Sequence, residues 1–418
     1  DLTDKKYVAK PLKRVFIEKP GKKKKRPLGI PTMYDRAMQS LYALALEPIA
    51  EVTGDRTSFG FRKYRSTPDA REQVFVCMCR KDSPEWVLEG DIKGCFDNIS
   101  HQWLIDNIPL DKSALKQFLK AGYIFERQLF PTEAGTPQGG IISPILANIT
   151  LDGIEKLLAD KYRNNKNGRR YNYHASKHKI NFVRFADDFI ITAKTEEIAK
   201  EVKELIKDFL KDRGLELSDE KTLITHIDIG FDFLGRNFRK YNGKLIVKPS
   251  NKSIEKVTEK ISDIIKRGKA WKQEDLINVL NPVITGWGNY HQPVVSSKIF
   301  QKLDSRIWNM LWHWAKRRHP EKSNKWTADR YWHSEGNRNW VFSEGDKKLK
   351  LLSDIKIVRH MRLKLDMNPY LDKEYFILRR IKQGAKKLNR LAISVWAKVK
   401  NVAKPETETM TNNNCCPN

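Results

Sequence analysis

The sequence predicts an α+β protein, in which helices and an antiparallel sheet are followed by a helical domain and a small basic C-terminal domain. Three observations lead to this class. Short β-prone apolar runs lie among amphipathic helical patterns over about the first 250 residues. From Ser253 to about residue 316 the pattern is helical. The remainder is a mixture of strand, turn and helix patterns rich in Lys and Arg.

The first part of the chain opens with two predicted strands. Val15 and Ile17 alternate with basic residues, and residues 21–26, Gly-Lys-Lys-Lys-Lys-Arg, are predicted as the loop of a hairpin. Ser100 is a predicted N-cap of the helix that starts at His101. Further helices are predicted at residues 35–51, 141–158 and 196–213, and further strands at 86–92 and 182–191.

The second part starts with a predicted hairpin. Phe231–Gly235 and Leu245–Val247 flank Asn242-Gly243, a pair typical of a type I′ turn. The helical region that follows is expected to break at Asn281-Pro282 and at Gly286.

Charge is unevenly distributed along the chain. Residues 1–235 carry a formal net charge of +6, whereas residues 236–418 carry +22 and nine of the eleven tryptophans. An excess of this size favours phosphate polyanions over small acidic substrates. Basic residues among large aromatics suit neutralisation of a nucleic-acid backbone combined with base stacking, although each Trp taken singly can equally be helical core.

Composition also bears on the compartment. Five cysteines form no disulfide framework, which indicates a reducing environment. No apolar run approaches the roughly 18 residues that cross a membrane, so no membrane partner is expected. We expect a cytoplasmic location in a bacterium, or an organellar matrix or stroma in a eukaryote. Because the sequence begins at Asp1 and not at Met, we expect it to be part of a longer protein.

Two adjacent acids, Asp187 and Asp188, lie between apolar β-prone runs. Adjacent carboxylates repel each other, and a pair of divalent cations would compensate them; the alternative is a solvated hairpin tip. Asp91 ends another apolar strand and could supply a second segment, with the carbonyl of Ile92 as a further oxygen. An all-oxygen shell suits two Mg²⁺ ions, or Mn²⁺ in their place.

A glycine-rich turn, Gly135–Gly140, leads into the predicted helix that contains Pro144. Free N–H groups at a helix N-terminus attract anions, so a phosphate could be held here; such a turn can equally do no more than cap the helix.

These motifs resemble, in order and spacing, the successive blocks of a reverse transcriptase encoded by a group II intron, over about residues 10–345. The palm blocks are matched by Gly90-Asp91 through Phe96, Gly135–Gly140, Phe185–Asp188 and Phe233–Gly235. The fingers blocks are matched by Arg26–Thr32 and Ser58–Arg62. The thumb, or maturase (X) domain, is matched by Asn281-Pro282, Gly286–Tyr290, Leu303–Ile307 and Trp312–Pro320.

The resemblance implies a right-hand polymerase with an antiparallel palm sheet. Its expected domains are fingers and palm at residues 1–240, a helical thumb or maturase domain at 241–320, and a DNA-binding domain at 321–400. Residues 401–418 are expected to be a disordered tail or the start of a missing HNH endonuclease domain, because Cys415-Cys416 resembles the first half of a Cys pair.

The resemblance also implies roles for single residues. It assigns Asp91, Asp187 and Asp188 to catalysis and, together with Ile92, to two metal ions. The residues implied to bind the incoming dNTP are Lys19, Arg26, Phe96 and Gln138, with Phe96 excluding the ribose 2′-OH. The implied primer grip is Phe233, Leu234 and Gly235, and the implied RNA or DNA contacts are Arg306, Lys316, Arg317 and Arg318.

One departure from the family pattern lies in the double-acid block. Phe185 occupies a position where the family more often has Tyr, which is expected to alter packing and leave the acids intact. Between the matched blocks, polar residues 162–180 are predicted as an insertion loop from their composition.

The implied function is that of an RNA-directed DNA polymerase that also binds its group II intron RNA as a splicing maturase. Its other partners would be an RNA template with a DNA primer or target DNA, during target-primed retrohoming. Two alternatives remain open. One is an RNA-binding maturase without polymerase activity, which would be expected to have lost the acids or Gln138. The other is a reverse transcriptase of a defence or diversity-generating system. The oligomeric state is not predicted.

Overall fold

The computed structural model describes residues 7–19, 22–163, 177–336 and 338–388. Most of the predicted insertion loop, the predicted tail 401–418 and Cys415-Cys416 lie outside the described residues. The helices are α1 (Met33–Thr53), α2 (Thr67–Met78), α3 (Cys95–Asn98), α4 (His101–Asn107), α5 (Lys112–Lys120), α6 (Ser143–Leu151), α7 (Ile154–Tyr162), α8 (Glu196–Lys211), α9 (Asn251–Arg267), α10 (Gln273–His291), α11 (Ser297–Arg318), α12 (Asn324–Tyr331) and α13 (Lys373–Leu388). The strands are β1 (Leu12–Lys19), β2 (Lys22–Ile30), β3 (Trp86–Gly90), β4 (Tyr123–Phe125), β5 (Gln128–Phe130), β6 (Asn181–Phe185), β7 (Asp188–Ala193), β8 (Leu223–His226), β9 (Phe231–Phe233), β10 (Arg236–Tyr241), β11 (Lys244–Pro249), β12 (Trp332–Glu335), β13 (Arg338–Glu344) and β14 (Lys347–Lys348).

The central sheet has the strand order β6-β7-β3-β8, and all neighbours are antiparallel. Successive side chains of a strand point to opposite faces. Leu88 accordingly packs into a core with α4 to α8, whereas Val87 packs into a second core on the other face. The expected α+β class with an antiparallel sheet is confirmed.

The N-terminal sheet has the order β2-β1-β4-β5, with β1 and β4 parallel. The basic run predicted as a loop lies mostly in a strand, because Ile17 of β1 pairs with Arg26 and the ladder reaches Lys22. β2 is an edge strand. Charge on an edge strand discourages pairing with other chains. Lysine-rich sequence is therefore compatible with this strand.

Two helix boundaries differ from the predictions. The expected helix 141–158 is divided into α6 and α7 by Asp152-Gly153, where Gly153 has a φ of +104°. The expected breaks at Asn281-Pro282 and at Gly286 are absent, and α10 continues through both. Leu280 and Ile284, on either side of Pro282, are both fully buried, so tertiary packing holds the helix despite the proline.

The third core joins α9, α10 and α11. The sheet β12-β13-β14 packs onto this helical core through Trp332 and Phe342. The chain then returns to the central sheet, where Leu363 and Phe376 enter the core that contains Val87. The stretch 321–400, expected as one unit, therefore contributes to two cores over its described part.

Side chains fasten this returning segment to α2. The carboxylate of Asp69 is almost completely buried and accepts hydrogen bonds from His360 Nε2 at 2.8 Å and from Arg379. Tyr370 donates to Glu47 Oε2 of α1 at 2.7 Å. Part of the positive charge of this basic segment is therefore engaged in internal contacts.

Candidate active site

The turn between β6 and β7 carries the two adjacent acids. Phe185 pairs with Asp188 across the hairpin, so Ala186 and Asp187 form a two-residue turn. Ala186 has a φ of +58°, a left-handed conformation that persists in a non-glycine residue only where surrounding contacts hold it. One such contact is Gly60, where an added Cβ would lie 2.1 Å from the Ala186 nitrogen. The tip of the hairpin is thus fixed against the segment before α2.

Asp91 reaches the same edge from the neighbouring strand. Gly90 pairs with Phe189 in the antiparallel ladder, so the next positions along the two strands are Asp91 and Asp188. The Phe189 ring lies across Gly90, where an added Cβ would meet it at 2.1 Å. Ser218 donates its N–H to the Asp91 carbonyl at 2.8 Å and fixes the end of the strand. The structure therefore brings the three predicted acids together.

The charges of these acids are poorly compensated. Partial burial raises the pKa of Asp188 to about 6, and the negative charges of Asp187 and Asp91 contribute to the rise. Burial also raises the pKa of Asp187, as does Asp91, whereas Arg26 and Lys221 act in the opposite direction. Mutual repulsion of this kind is typical of acids that bind a cation or act in catalysis.

Lys221, which belongs to none of the sequence motifs, is the counter-ion of Asp91. Its Nζ donates to Asp91 Oδ2 at 2.6 Å, and this hydrogen bond raises the pKa of Lys221. Its position after the loop that follows α8 offered no local signal, because the contact spans 130 residues.

The oxygen atoms that the predicted metal ligands offer are of the kind that binds a divalent cation. Asp91, Asp187 and Asp188 offer oxygen ligands, and the side chain of Ile92 is buried in the core, so its main-chain carbonyl is the part available to a metal. The three acids share one edge of the sheet, but over the described part of the chain no group of three or more His, Cys, Asp or Glu side chains lies close enough together to hold one ion. A bound ion would compete with Lys221 for Asp91.

A buried ion pair supports the turn from beneath. Arg184 is completely buried, and its Nη2 lies 2.6 Å from Asp152 Oδ1. Its Nη1 donates to Asn148 Oδ1 at 3.0 Å and to the Ala186 carbonyl at 3.2 Å. The guanidinium thus joins α6 to the turn that carries the acids. An arginine within an otherwise apolar strand was the signal that could have indicated it.

The same network includes Asp55. Its pKa is raised to about 7, chiefly by burial and also by the charge of Asp152, while the charge of Arg184 acts in the opposite direction. Asp55 Oδ1 accepts from the Gly153 N–H at 3.1 Å, at the point where α6 ends and α7 begins. The division of the expected helix at Asp152 therefore serves this network.

The glycine-rich turn joins two other predicted site residues. Thr136 donates its N–H to the Phe96 carbonyl at 2.7 Å, and Gly29 donates to the Gln138 carbonyl at 2.9 Å. Gly29 lies three positions after Arg26 in β2, and the charge of Arg26 reaches Asp187. Phe96, Gln138 and Arg26 consequently lie on adjoining segments beside the acids.

Phe96 is half-buried and has an aromatic partner. Its ring packs edge to face against Phe61, at 6.1 Å between centroids and 85° between planes. Phe61 is exposed and has a φ of +58°. In the sequence, Phe61 is recognisable only as part of a fingers block. Lys19 ends β1 opposite Lys22, and only its backbone is described.

The predicted primer-grip residues form a tight turn between β9 and β10. Leu234 and Gly235 have φ values of +50° and +71°, and Phe233 pairs with Arg236. The Leu234 carbonyl accepts a hydrogen bond from Tyr290 Oη of α10 at 2.8 Å. The turn is therefore joined to the helical core.

The four predicted nucleic-acid contacts all lie on or at the end of α11. Arg306 and Arg317 are exposed and, being eleven residues apart, lie on the same face of the helix. Lys316 donates to the Lys322 carbonyl at 2.6 Å. Arg318 donates to the carbonyl groups of Lys269 and Trp271, so its charge is partly committed to internal contacts.

Comparison with known families accounts for this arrangement. The reverse transcriptase (RNA-dependent DNA polymerase) model matches residues 17–238, more than half of the chain. The chain belongs to the reverse transcriptase family. A second model, the group II intron maturase-specific domain, matches residues 254–332. The central sheet is thus the palm of this reverse transcriptase, and α9 to α11 lie in its maturase-specific domain.

Curated relatives come from bacteria, from yeasts and from Euglena gracilis. The group II intron-encoded protein LtrA of Lactococcus lactis subsp. cremoris is 35% identical over 315 residues, which cover 61% of this chain and 52% of the relative. Protein YkfC of Escherichia coli is 33% identical over 55% of this chain and 67% of its own length. The chain therefore spans about half of the length of the Lactococcus protein.

Proposed function

We propose that this reverse transcriptase extends a DNA primer on an RNA template. The observation that carries the proposal is the position of Asp91, Asp187 and Asp188 at one edge of the palm, where burial and mutual repulsion raise the pKa values of Asp187 and Asp188. Reverse transcriptases depend on divalent metal ions. We propose Mg²⁺, with Mn²⁺ able to replace it, held by these acids and by the Ile92 carbonyl.

Bound ions would supply stabilisation of charge on the attacking and leaving oxygens during nucleotidyl transfer. The contribution of the protein is placement. The turn at Ala186, the covered Gly90 and the Arg184 ion pair fix the acids before substrate arrives. Arg26, whose charge already reaches Asp187, is placed to attract the triphosphate of a dNTP. We assign Lys19 and Gln138 to the same nucleotide.

Nucleotide selection gives a prediction at Phe96. Phe96→Val should raise ribonucleotide incorporation, because the ring that would exclude the 2′-OH becomes smaller, and discrimination should fall by roughly 10- to 200-fold. Single-nucleotide incorporation of dNTP and NTP measures the ratio of kcat/KM values. Phe125→Val, which shortens a ring paired with Phe16 in the N-terminal sheet, is the control. A ratio that does not change in Phe96→Val would remove this residue as the gate.

We further propose that the maturase-specific domain binds a group II intron RNA and assists its splicing, and that target DNA primes synthesis. The match to the maturase-specific model and the +22 charge of residues 236–418 support this. Primer extension on an RNA template, run beside splicing of the intron RNA by the same preparation, separates this proposal from a maturase without polymerase activity. Extension without splicing would favour a defence or diversity-generating enzyme.

The location proposed is the bacterial cytoplasm, or an organelle of a eukaryotic host. In the part of the chain that the structure describes, no helix is long and apolar enough to cross a membrane.

RNA binding should depend on the exposed arginines of α11. Replacing Arg306 and Arg317 together by Gln should weaken RNA affinity and reduce the slope of log K against log salt by about 1.5, since each phosphate contact contributes roughly 0.7 to 0.9. Filter binding over a range of salt concentrations measures the slope. The control is Lys200→Gln with Lys207→Gln, two exposed cations of α8 on the palm. Equal slopes for both pairs would contradict an RNA contact on α11.

A further inference from the structure

Four tryptophans meet between α11 and the sheet β12-β13-β14. Trp308 and Trp312 stack in parallel, with ring centroids 5.4 Å apart and 9° between planes. Trp332 is 5% exposed and packs against both. Trp340 approaches the same pair at 6.1 and 6.5 Å, yet 54% of it is exposed. The cluster is thus closed by the core on one side and open on the other.

Trp340 is held in an unusual backbone conformation. The register of the β12–β13 ladder shifts between His333 and Glu335, so two residues of β13 face one residue of β12. Trp340 is one of the two and has a φ of +64°. A bulky side chain in the left-handed region costs free energy, and glycine is the residue usually found at such a bulge. The exposed ring is therefore presented at an energetic cost that packing alone does not explain.

Two cavities flank this ring. One has a volume of about 800 Å³ and the other about 650 Å³, and both are lined by Trp308, Asn339 and Trp340. Trp340 thus lines both cavities, so a flat ligand in either of them could stack on its indole ring. Cavities of this size accommodate a nucleobase-sized ligand.

The charges that line the two cavities nearly cancel. In the larger cavity, Arg338 is paired with Asp354 and Lys348 with Glu335. Lys350 also lines this cavity, whereas Lys325 and Asp329 line the smaller one, and all three are exposed. Nearly neutral aromatic surface with exposed lysines beside it suits a base that stacks while its phosphates remain in solvent.

We infer that Trp340 is a stacking platform for an unpaired nucleotide of the RNA that the maturase-specific domain binds. The inference rests on the proposed RNA partner and adds a site and a ligand class to it: single-stranded nucleotides, recognised by stacking. Stacking of one base on an aromatic side chain corresponds to about 5- to 150-fold in affinity.

The test uses the full chain and a single-stranded RNA that contains 2-aminopurine. Trp340→Gly should weaken binding of this RNA by about 5- to 150-fold, Trp340→Phe should retain most of the affinity, and double-stranded RNA should bind all variants equally. Trp326→Ala is the matched control, because Trp326 is also exposed but lies outside the cluster, on α12. In wild type, 2-aminopurine fluorescence should fall on binding as the base stacks.

Stability separates a ligand site from a structural role. Because glycine adopts a φ of +64° without strain, Trp340→Gly should have a Tm no lower than that of wild type. A lower Tm accompanied by weaker binding of both RNAs, or unchanged binding of the single strand, would overturn the inference. So would a loss confined to single-stranded DNA. Primer extension on a homopolymer template should survive in Trp340→Gly, so failure of this site is distinguishable from failure of the polymerase proposal.

Discussion

Asp187→Ala is expected to abolish primer extension on an RNA template while leaving RNA affinity nearly unchanged. Asp187 occupies the second position of the turn, and its carboxylate is close enough to Asp91 for the charge of Asp91 to raise the pKa of Asp187. If the two acids share metal ions, loss of one ligand removes several kcal/mol of transition-state stabilisation. That corresponds to a fall in kcat of about a thousandfold or more.

The measurement is single-turnover extension of a labelled primer, with RNA binding followed separately. Asp106→Asn is the matched control, since Asp106 is an exposed acid on α4 away from the turn. The control should keep wild-type extension. Extension retained in Asp187→Ala would contradict the two-metal proposal, whereas parallel loss of extension and RNA affinity would indicate misfolding instead.

The acids also affect stability in the absence of metal. The raised pKa of Asp188 means that the folded protein binds this proton more tightly than the unfolded chain does. This site therefore destabilises the fold increasingly as pH rises from about 4 towards 6, and the effect is fully present above pH 6. This electrostatic repulsion has a functional consequence, because charges that repel each other in the free protein are those that a cation can compensate.

Local sequence was sufficient to predict a structural feature wherever the residues that determine that feature are neighbours in the chain. Asn242-Gly243 adopts the predicted turn with φ values of +49° and +76°, and Ser100 caps α4 by accepting from the Trp103 N–H. The double-acid turn was recognisable because β-prone residues flank it on both sides. Motifs in a fixed order then led to the reverse transcriptase family, which the match over residues 17–238 confirms.

Determinants that lie far apart in sequence were not predictable in this way. Lys221 meets Asp91 only because the chain after α8 runs beside the end of β3, where Lys93 donates to the Glu216 carbonyl at 2.9 Å. The continuity of α10 through Pro282 depends on burial by other elements. The bulge at Trp340 depends on its pairing with β12. Each of these is a property of packing, on which short sequence windows carry little information.

The Arg184 ion pair shows how such packing supports catalysis. Arg184→Met should destabilise the protein by about 3 to 5 kcal/mol, because the Asp152 carboxylate would remain largely buried without its partner. The hydrogen bond to the Ala186 carbonyl would also be lost, so the turn that carries Asp187 would no longer be held from beneath. Extension should consequently fall even at temperatures where the variant remains folded.

Unfolding in denaturant, at two pH values, measures the first effect. Arg184 lowers the pKa of Asp55, which is about 7 with the arginine present, so its removal raises that pKa further. When the pKa of a carboxyl group is higher in the folded protein than in the unfolded chain, the protein loses stability as pH rises towards the folded-state pKa. The deficit of Arg184→Met relative to wild type should therefore be larger at pH 8 than at pH 5, where Asp55 is protonated in both.

The control is Lys207→Met, which removes a solvent-screened ion pair with Glu204 on α8 and should leave the free energy of unfolding nearly unchanged. A variant with Arg184→Met and Asp152→Leu together should recover part of the lost stability, because no buried charge is left without a partner. It should not recover extension, since the contact to the Ala186 carbonyl is still missing. Recovery of both would show that the ion pair contributes to folding alone and leaves the position of the acids unchanged.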